Sequence, residues 1–401
     1  MCVWQVIIME FNIVMLVFKK ELKDIFRDRK TIIMSVLIPI IIFPLLFTVM
    51  GFSLDKSTKQ VEDNLTVAII DAGNSTLTQF LSTQESLKLV DSTDMEADLR
   101  EGKILVGLEV PADFDADILA ERPARLVLIY DNASQPSQMA MGIVNGIVTT
   151  YSKDIVAQRL EERNISSDLL TPVQVQTKTM VSEEEGFGKF MLSLLLPLML
   201  VIFSITGPMA AAVDLGAGEK ERGTLEPLLT TNAGRLSLLW GKFAAITVMG
   251  VLSTIASMLG LFLSMQQEGG IFQGSGASVA PSTLLLIGLV TLLLTMVFGA
   301  LELAISIYAR SFKEAQTYIS PLMMISFIPT YATYMLDAKN IETFYFHIPL
   351  ANVSCILKEF LAGIYNYTHI AITFTWIIIY IVAAVLFARY MFSKEDVIFR
   401  T

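Results

Sequence analysis

The chain has 401 residues, of which 53% are hydrophobic and 17% are charged, and its formal net charge is −10. This composition is far too apolar for one soluble domain of ordinary usage, so it excludes that class and predicts a membrane protein.

The N-terminal residues 1–30 are expected to be cytoplasmic, and their second part carries an amphipathic pattern. Apolar residues recur there at spacings of three and four, while lysines and arginines occupy the other faces, which predicts a helix lying in the inner membrane interface. The predicted apolar stripe consists of Phe11, Val14, Met15, Phe18, Leu22, Ile25 and Phe26. A plain positively charged flank of the first span is the alternative.

Six stretches are long and apolar enough to cross the hydrocarbon as helices, which takes about 20 residues because every backbone amide must be satisfied internally. They are residues 31–53, 187–211, 240–265, 282–308, 316–336 and 368–391. The first is longer than the apolar core of a signal peptide and no small-residue cleavage site follows it. We therefore expect it to remain as a membrane anchor.

Lysine and arginine in the short flanks predict the orientation. Six of them precede the first span within residues 19–30, and others lie between the second and third spans and in the tail 392–401, whereas residues 266–281 contain none. Both termini are therefore expected to be cytoplasmic, and residues 54–186 to lie outside.

The long segment 54–186 predicts a folded extracytoplasmic α/β domain, inserted between spans one and two. Residues 65–71, 103–110 and 125–131 have the pattern of buried strands, and residues 137–163 that of a long helix. The segment holds 23 acidic and 11 basic residues, so it accounts for the whole net negative charge. Such charge favours either an acidic vestibule for cations or a surface kept soluble by charge.

A charged stretch, AGEKERGTLEPLL at residues 217–229, separates the second and third spans. We expect the chain to leave the membrane near Asp214, to turn at Gly216 and Gly218, and to begin a short helix at Thr224. That helix would carry leucines at helical spacing, Leu225, Leu228 and Leu229. A short amphipathic helix on a cytoplasmic surface is suited to docking in a partner's groove, and a solvated connector is the alternative.

Asp214, the charged stretch and the Gly-Lys pair at 241–242 together resemble the first cytoplasmic loop of type 2 ABC exporter permeases. More narrowly, they resemble permeases of two-component sodium-efflux exporters. The resemblance implies that residues 214–239 form a coupling helix seated on a separate ATPase subunit, with the interfacial helix as a second part of the seat. The contacts that it implies are Asp214, Glu219, Glu221, Arg222, Gly223, Thr224 and Glu226.

The resemblance also implies a pair of these chains with two cytoplasmic ATPase subunits, which would bind the ATP and Mg²⁺. The sequence itself contains no G-x-x-x-x-G-K-[ST] phosphate loop and no H-E-x-x-H zinc motif. We therefore expect a transport subunit that binds no cofactor and is not itself an enzyme, with membrane lipid but no nucleic acid among its partners.

Three polar residues are candidates for the translocation path. Glu302 is the one acid well inside a predicted span, where a charge costs at least ~2.5 kcal/mol, so it predicts either a Na⁺-binding carboxylate or a partner of a basic residue. By resemblance, residues 340–366 form a re-entrant helical segment entering from outside. Asn352 and Glu359 would then face an exit path or pack at the interface. No metal-ligand set is assigned.

The sequence thus predicts a membrane all-α protein with six transmembrane helices, an interfacial helix and an inserted α/β domain. The expected function is ATP-driven export across the cell membrane, with Na⁺ as the substrate implied by resemblance. An exporter of an antibiotic, peptide or lipid is the alternative, and a membrane receptor with an outer sensor domain is an alternative from another class.

Overall fold

The structure is a computed structural model that describes residues 3–71, 73–170, 173, 178, 183–231, 233–267, 272, 279–394 and 396. It is predominantly helical and contains one small sheet. The chain forms two compact units, Met50–Thr179, called here the α/β unit, and Met1–Val49 with Met180–Thr401, called the membrane unit.

The chain begins with helix α1, Val3–Arg27, which confirms that the N-terminal segment is helical. It packs along α11, described below, through a face centred on Val17, Glu21 and Ile25, all of which are buried. Of the predicted stripe, Phe11, Met15 and Phe26 are exposed on the outside of the membrane unit, and their contact with lipid stays a prediction. The prediction did not include the second, buried face, which packs against another helix.

After a break at Asp28 the chain forms α2, Arg29–Ile32, a π-helical turn, Ile33–Leu37, and α3, Ile38–Asp63. The Asp28 carboxylate accepts hydrogen bonds from the Lys30 amide and the Thr31 hydroxyl. Asp28 is thus the N-cap that starts this helical run.

The α/β unit alternates strands and helices. In chain order these are β1, Leu65–Asp71; α4, Thr76–Ser82; β2, Leu87–Val90; α5, Met95–Arg100; β3, Val106–Val110; α6, Phe114–Leu119; β4, Val127–Ile129; and α7, Gln135–Glu162. Strands β1, β3 and β4 and the long helix α7 confirm the sequence-based predictions. Strand β2 and the three short helices were not predicted.

The sheet has the order β2-β1-β3-β4, with β1 parallel to both neighbours and β4 antiparallel to β3. Its core is apolar and includes Val67, Leu77, Leu108 and Val144, all fully buried. The Asp71 carboxylate, at the end of β1, accepts from the amides of Gly73 and Ser75 and so fixes the turn into α4.

The membrane unit consists mainly of long helices. They are α8, Glu183–Val213; α9, Glu219–Glu221; α10, Leu225–Leu229; α11, Arg235–Gln266; α12, Pro281–Tyr308; α13, Phe312–Ala332; α14, Ala351–Leu361; and α15, Tyr367–Ser393. Helix α12 packs most extensively against α15 and α8, and it also contacts α11, α13 and α14. It is therefore the central helix of the unit.

Among the described residues, five helical runs are long and apolar enough to cross a membrane. They are Arg29–Val61, Gly188–Glu221, Arg235–Gln266, Pro281–Tyr308 and Tyr367–Ser393. The predicted fifth span, 316–336, falls on α13, which is a 21-residue helix interrupted by Pro321 and Pro329. Five of the six predicted spans thus coincide with helices long and apolar enough to cross a membrane, and the arrangement of six spans, with α13 among them, stays a prediction.

Candidate functional site

The charged stretch folds as a continuation of α8. The helix runs through a π-helical turn, Asp214–Gly218, into α9, and the chain reverses only at Gly223. There the Gly223 amide donates to the Lys220 carbonyl and the Thr224 amide to the Glu219 carbonyl, both at 2.9 Å, while Gly223 has a φ of +67°. This is a glycine-ended helix C-terminus.

The prediction of turns at Gly216 and Gly218 is therefore wrong, although the short helix that follows, α10, is confirmed. Residues 215–218 are buried, and the Ala217 amide donates to the Ser306 hydroxyl of α12 at 2.8 Å. This packing outweighs the low intrinsic helix propensity of glycine.

A buried ion cluster lies directly behind the turn. The Lys242 ammonium, fully buried on α11, contacts the Glu21 carboxylate of α1 at 3.0 Å and the Glu219 carboxylate of α9 at 2.6 Å, and it donates to the Leu215 carbonyl. Lys20, half-exposed, pairs with Glu219 at 2.7 Å and with Glu21 at 3.2 Å. These four residues balance two positive with two negative charges, which makes their burial tolerable.

Lys20 closes the cluster on its exposed side. Burial lowers the pKa of Lys20, but its hydrogen bond to Glu219 and the charge of Glu21 outweigh that effect, so the pKa is raised overall. Helix α1 can approach α11 this closely because position 241 is glycine: a Cβ there would lie 2.6 Å from the Val17 side chain. In the Gly-Lys pair at 241–242, the glycine thus permits the close approach of α1 and the lysine is the central cation of the cluster.

The other charged residues of the turn bind the α12–α13 junction. The Lys220 ammonium donates to the Ile307 carbonyl at 2.7 Å, and the Glu221 carboxylate accepts from the Phe312 amide at 2.8 Å. Together with the ion cluster, these contacts fix the turn to α1, α11, α12 and α13. A displacement of the turn would therefore alter its contacts with four helices in addition to α8.

Of the residues implied as ATPase contacts, four are exposed: Arg222, Gly223, Thr224 and Glu226. The carboxylates of the other three contact residues of this chain. Asp214 is engaged by Arg222, whose guanidinium donates to its carboxylate at 2.8 Å, and this hydrogen bond raises the pKa of Arg222. The Glu219 carboxylate is inside the ion cluster, and that of Glu221, though exposed, caps α13. On α10, Leu225 is buried and Leu228 is partly buried.

Sequence reasoning missed that Glu219 belongs to an ion cluster with Lys20, Lys242 and a second acid, Glu21. Glu21 is the only acidic residue on the buried face of α1, so a helical projection centred on Val17 and Ile25 would have singled it out. Lys242 was noted only as part of the Gly-Lys pair and as a positive flank. Pairing between residues 221 positions apart leaves no local signal in one sequence.

Glu302 lies on the central helix, fully buried, and neither of its carboxylate oxygens has a hydrogen-bond partner among the described residues. One role considered for Glu302 was that of an ion-pair partner, but within the described part of the chain no basic side chain is paired with it. One turn further on, the Ser306 hydroxyl donates to the Val213 carbonyl at 3.1 Å and accepts from the Ala217 amide. Glu302 is thus one helical turn from the contact between α12 and the π-helical turn Asp214–Gly218.

Asn352 and Glu359 both lie on α14, and all but one of its residues are buried. The Glu359 carboxylate contacts His369 of α15, with Oε1 and Nδ1 2.7 Å apart. Next to it, the Lys358 ammonium donates to the carbonyls of Thr333, Tyr334 and Leu336, which follow the end of α13. Helix α14 is therefore fastened to α13 and α15 by its two charged residues.

Comparison with known proteins gives one family match that spans most of the chain. The profile described as "ABC-2 family transporter protein" matches residues 29–390. The ABC transporter permease protein NatB of Bacillus subtilis (strain 168) is 31% identical over 391 residues, covering 94% of this chain and 97% of that protein.

More distant similarity extends to two Escherichia coli (strain K12) proteins. The probable multidrug ABC transporter permease YbhS is 23% identical, covering 86% of this chain and 87% of its own length. The probable multidrug ABC transporter permease YbhR is 25% identical, covering 61% of this chain and 64% of its own length.

Proposed function

The chain belongs to the ABC-2 family of transporter proteins and is a permease subunit of an ABC transporter, and on this basis we propose that it exports Na⁺. The energy would come from ATP hydrolysed, with Mg²⁺, on a separate cytoplasmic subunit. A functional unit would contain two copies of this chain and two ATPase subunits.

One observation carries the coupling part of this proposal: the exposed turn at Arg222–Glu226 is braced from behind by the buried ion cluster. A turn that only connected two helices would not require a neutral four-residue cluster in which Glu21, Glu219 and Lys242 are at most 4% exposed, since buried ion pairs contribute little net stability. Their stronger effect is to fix one arrangement of α1, α9 and α11. Such a braced surface is suited to receive a push from an ATPase and to transmit it.

Na⁺ is favoured by the resemblance of the coupling stretch to sodium-efflux permeases and by the unpartnered carboxylate of Glu302. A buried carboxylate without a partner is stable only when neutralised, and binding a proton or a cation achieves this. The multidrug permeases among the relatives support the second candidate, export of an organic molecule such as an antibiotic, peptide or lipid. A receptor role does not account for the braced turn.

We infer the topology from the flanking charges. Six spans, with α13 as the fifth, would place both termini and the turn in the cytoplasm and the α/β unit outside, in a multi-pass protein of the cell membrane. A cysteine replacing Ser134 should then react with an impermeant maleimide on intact cells, and one replacing exposed Thr230 should not. The opposite labelling result would show that the chain has the opposite orientation in the membrane.

The experiment that tests the function uses inside-out membrane vesicles containing this chain and its ABC ATPase. ATP should drive uptake of ²²Na⁺, whereas vesicles with either subunit alone, or with a non-hydrolysable ATP analogue, should take up none. ATP hydrolysis without ²²Na⁺ uptake by the intact complex would contradict Na⁺ as the substrate and favour an organic one.

A further inference from the structure

A small pocket, called here the arginine pocket, lies where the start of α11 meets the end of α15, and its cavity is about 150 Å³. Its floor is apolar, since Leu239 and Phe392 are buried. Its rim carries two exposed arginines, Arg235 and Arg389. The cavity has room for about five water molecules, so it is too small for a drug-sized ligand and suits a compact group such as a phosphate. The other residues that line it are Leu236 and Ser393.

The two arginines differ in how they are held. Nη1 of Arg235 donates to the Ser393 carbonyl at 3.1 Å, which fixes this guanidinium at the rim. The Arg389 guanidinium makes no hydrogen bond or ion pair with the described residues. Among those residues, no acid lines the pocket. The N–H donors of Arg389 are therefore left to water or to a ligand.

The surface around the arginine pocket indicates its level in the membrane. Trp240 of α11 and Tyr390 of α15 are 41% and 52% exposed. Such amphipathic aromatic side chains are enriched where lipid headgroups meet the hydrocarbon. One turn nearer the middle of α15, Leu386 is exposed as well. The pocket thus lies at the level of the headgroups, next to apolar surface that continues into the hydrocarbon.

Charge and position together define the chemistry of the ligand. Arginine binds phosphate through paired N–H donors, and the exposed apolar surface beside the pocket suits an acyl chain. In the proposed orientation the pocket faces the cytoplasmic leaflet. Basic pockets between membrane helices on that side bind anionic lipid headgroups. A free phosphate ion would use the arginines but not the apolar surface.

The positive-inside rule alone does not account for this arrangement. That rule requires only lysine or arginine in the flanks of a span, whatever their exact positions. Here Arg235 and Ser393, which meet at the rim, are 158 positions apart in the chain. Both cations of the pocket are also arginines, whose planar donors match a phosphate better than an ammonium does.

We propose that the arginine pocket binds the phosphate of an anionic phospholipid from the surrounding membrane. Arg389 is the principal contact, Arg235 forms the opposite side of the rim, and an acyl chain lies over Trp240 and Leu386. The bound lipid thereby joins the start of α11 to the end of α15. Lipid binding is a property beyond the proposed export of Na⁺, and it is measurable without ATP or transport.

Trp240, one turn from Leu236 on α11, is the reporter for the test. The chain has three tryptophans, so Trp4→Phe with Trp376→Phe leaves Trp240 alone. The full chain in this background is reconstituted in phosphatidylcholine vesicles with a small fraction of phosphatidylglycerol, and bromine is carried on the acyl chains of one lipid or the other. Brominated phosphatidylglycerol should quench Trp240 with about tenfold higher apparent affinity, which corresponds to ~1.4 kcal/mol. Equal affinities of the two lipids would overturn the proposal.

Arg389→Gln should lower this preference about fivefold, because one basic residue near a membrane surface contributes ~1 kcal/mol. The matched control is Lys394→Gln, which removes the same charge from the same end of α15 at a residue that lies over the Tyr390 ring and outside the pocket. It should keep the full preference. An equal fall in both variants would show a general attraction between charges instead of a site, and would contradict the proposal.

Two further measurements complete the test. Because Arg389 is exposed and holds no other described residue, Arg389→Gln should leave the Trp240 emission in unbrominated lipid unchanged, and a changed emission would contradict the free guanidinium that the proposal requires. Inorganic phosphate, added at constant ionic strength, should not reverse the quenching by brominated phosphatidylglycerol, because it gains nothing from the apolar surface. Displacement of the lipid by phosphate would assign the pocket to a soluble anion and refute the lipid assignment.

Discussion

The buried ion cluster makes a quantitative prediction about Lys242. Replacing it by Met keeps most of the side-chain volume but leaves Glu21 and Glu219 buried with only the half-exposed Lys20 as a counter-charge. Two ion pairs, at 3.0 and 2.6 Å, and the hydrogen bond to the Leu215 carbonyl are lost together. Breaking a buried pair by removing one partner costs about 3–5 kcal/mol, because a buried charge is left uncompensated.

The matched control is Lys20→Met, which removes the other cation of the same cluster. Lys20 is 44% exposed at its side chain, so its pairs are screened by solvent and its loss should cost about 1 kcal/mol or less. A second comparison is the double variant Lys242→Met, Glu21→Gln, in which cation and anion are removed together. It should recover at least half of the stability lost by Lys242→Met alone, because the remaining pair, Lys20 and Glu219, is neutral.

The measurement is unfolding of the purified chain in mixed micelles by increasing fractions of SDS, followed by tryptophan fluorescence. Equal stability of the Lys242→Met and Lys20→Met proteins would refute the idea that burial makes Lys242 the dominant cation. A double variant no more stable than Lys242→Met would show that lost packing, rather than uncompensated charge, accounts for the effect.

Three further predictions concern the exposed turn, the α/β unit and the central helix. Glu226→Lys reverses an exposed charge, so it should reduce co-purification of the ATPase without lowering the yield of the chain in the membrane. Asp71→Asn should increase corrected amide exchange in Thr76–Ser82 by about fivefold at pH 7, corresponding to ~1 kcal/mol, and this difference should disappear as the pH falls through about 2. Glu302→Gln keeps the volume but cannot ionise, so it should abolish ²²Na⁺ transport while the ATPase stays bound.

The sign of the Asp71 effect follows from its surroundings. Burial raises its pKa, but hydrogen bonds from Thr78, Gly73 and Ser75 outweigh this and lower it from 3.8 to about 2. The stabilisation is therefore complete above pH 3.8 and is lost as the pH falls through about 2. We discount the full shift to ~1 kcal/mol because Asp71 is partly exposed and screened. Equal exchange of both proteins at pH 7 would contradict the assignment.

The other two predictions have their own controls. Thr230→Lys introduces a lysine next to α10 but outside Arg222–Glu226, a charge change of +1 against +2 for Glu226→Lys, and it should leave co-purification unchanged. A loss of co-purification in both variants would indicate a general charge effect. For Glu302, normal ²²Na⁺ transport by a stable Glu302→Gln protein would remove this residue from the path. A fall in protein yield together with transport would point to a structural role.

Local patterns in the sequence correctly predicted those elements that contain one clear run of apolar residues. Strand β1 was predicted with the bounds Leu65–Asp71 that the structure shows, because an apolar run ending in an acid is a strong strand signal. Strand β2, Leu87–Val90, was missed because it is four residues long and only partly buried. Five predicted spans coincide with long helices because each contains a long apolar run. The helices begin and end at other residues than predicted because they continue beyond that run.

The site was predictable only in part, because its members meet through tertiary contacts. The short helix α10 followed from the leucine spacing, but the reversal of the chain at Gly223 did not, because the sequence predicted turns at Gly216 and Gly218. The burial of the Glu219 carboxylate was not predictable either, since its partners come from α1 and α11. Likewise, the contact of Glu359 with His369 depends on α14 packing against α15, and two residues on separate helices carry no shared periodicity.

The turn at Gly223 is connected to Glu302 through two packed helices, α8 and α12, rather than through a flexible segment. The turn continues α8 without a break, and the Ser306 hydroxyl holds the Val213 carbonyl and the Ala217 amide against α12. Glu302 is one turn of the same helix away, with no partner of its own among the described residues. A push on Arg222–Glu226 would move α8 as a unit and shift its contact with α12. Because no described residue holds the Glu302 carboxylate by a hydrogen bond, a small shift there would change its surroundings more than those of a hydrogen-bonded group nearby, and docking would in this way act on the residue that we propose as the Na⁺ ligand.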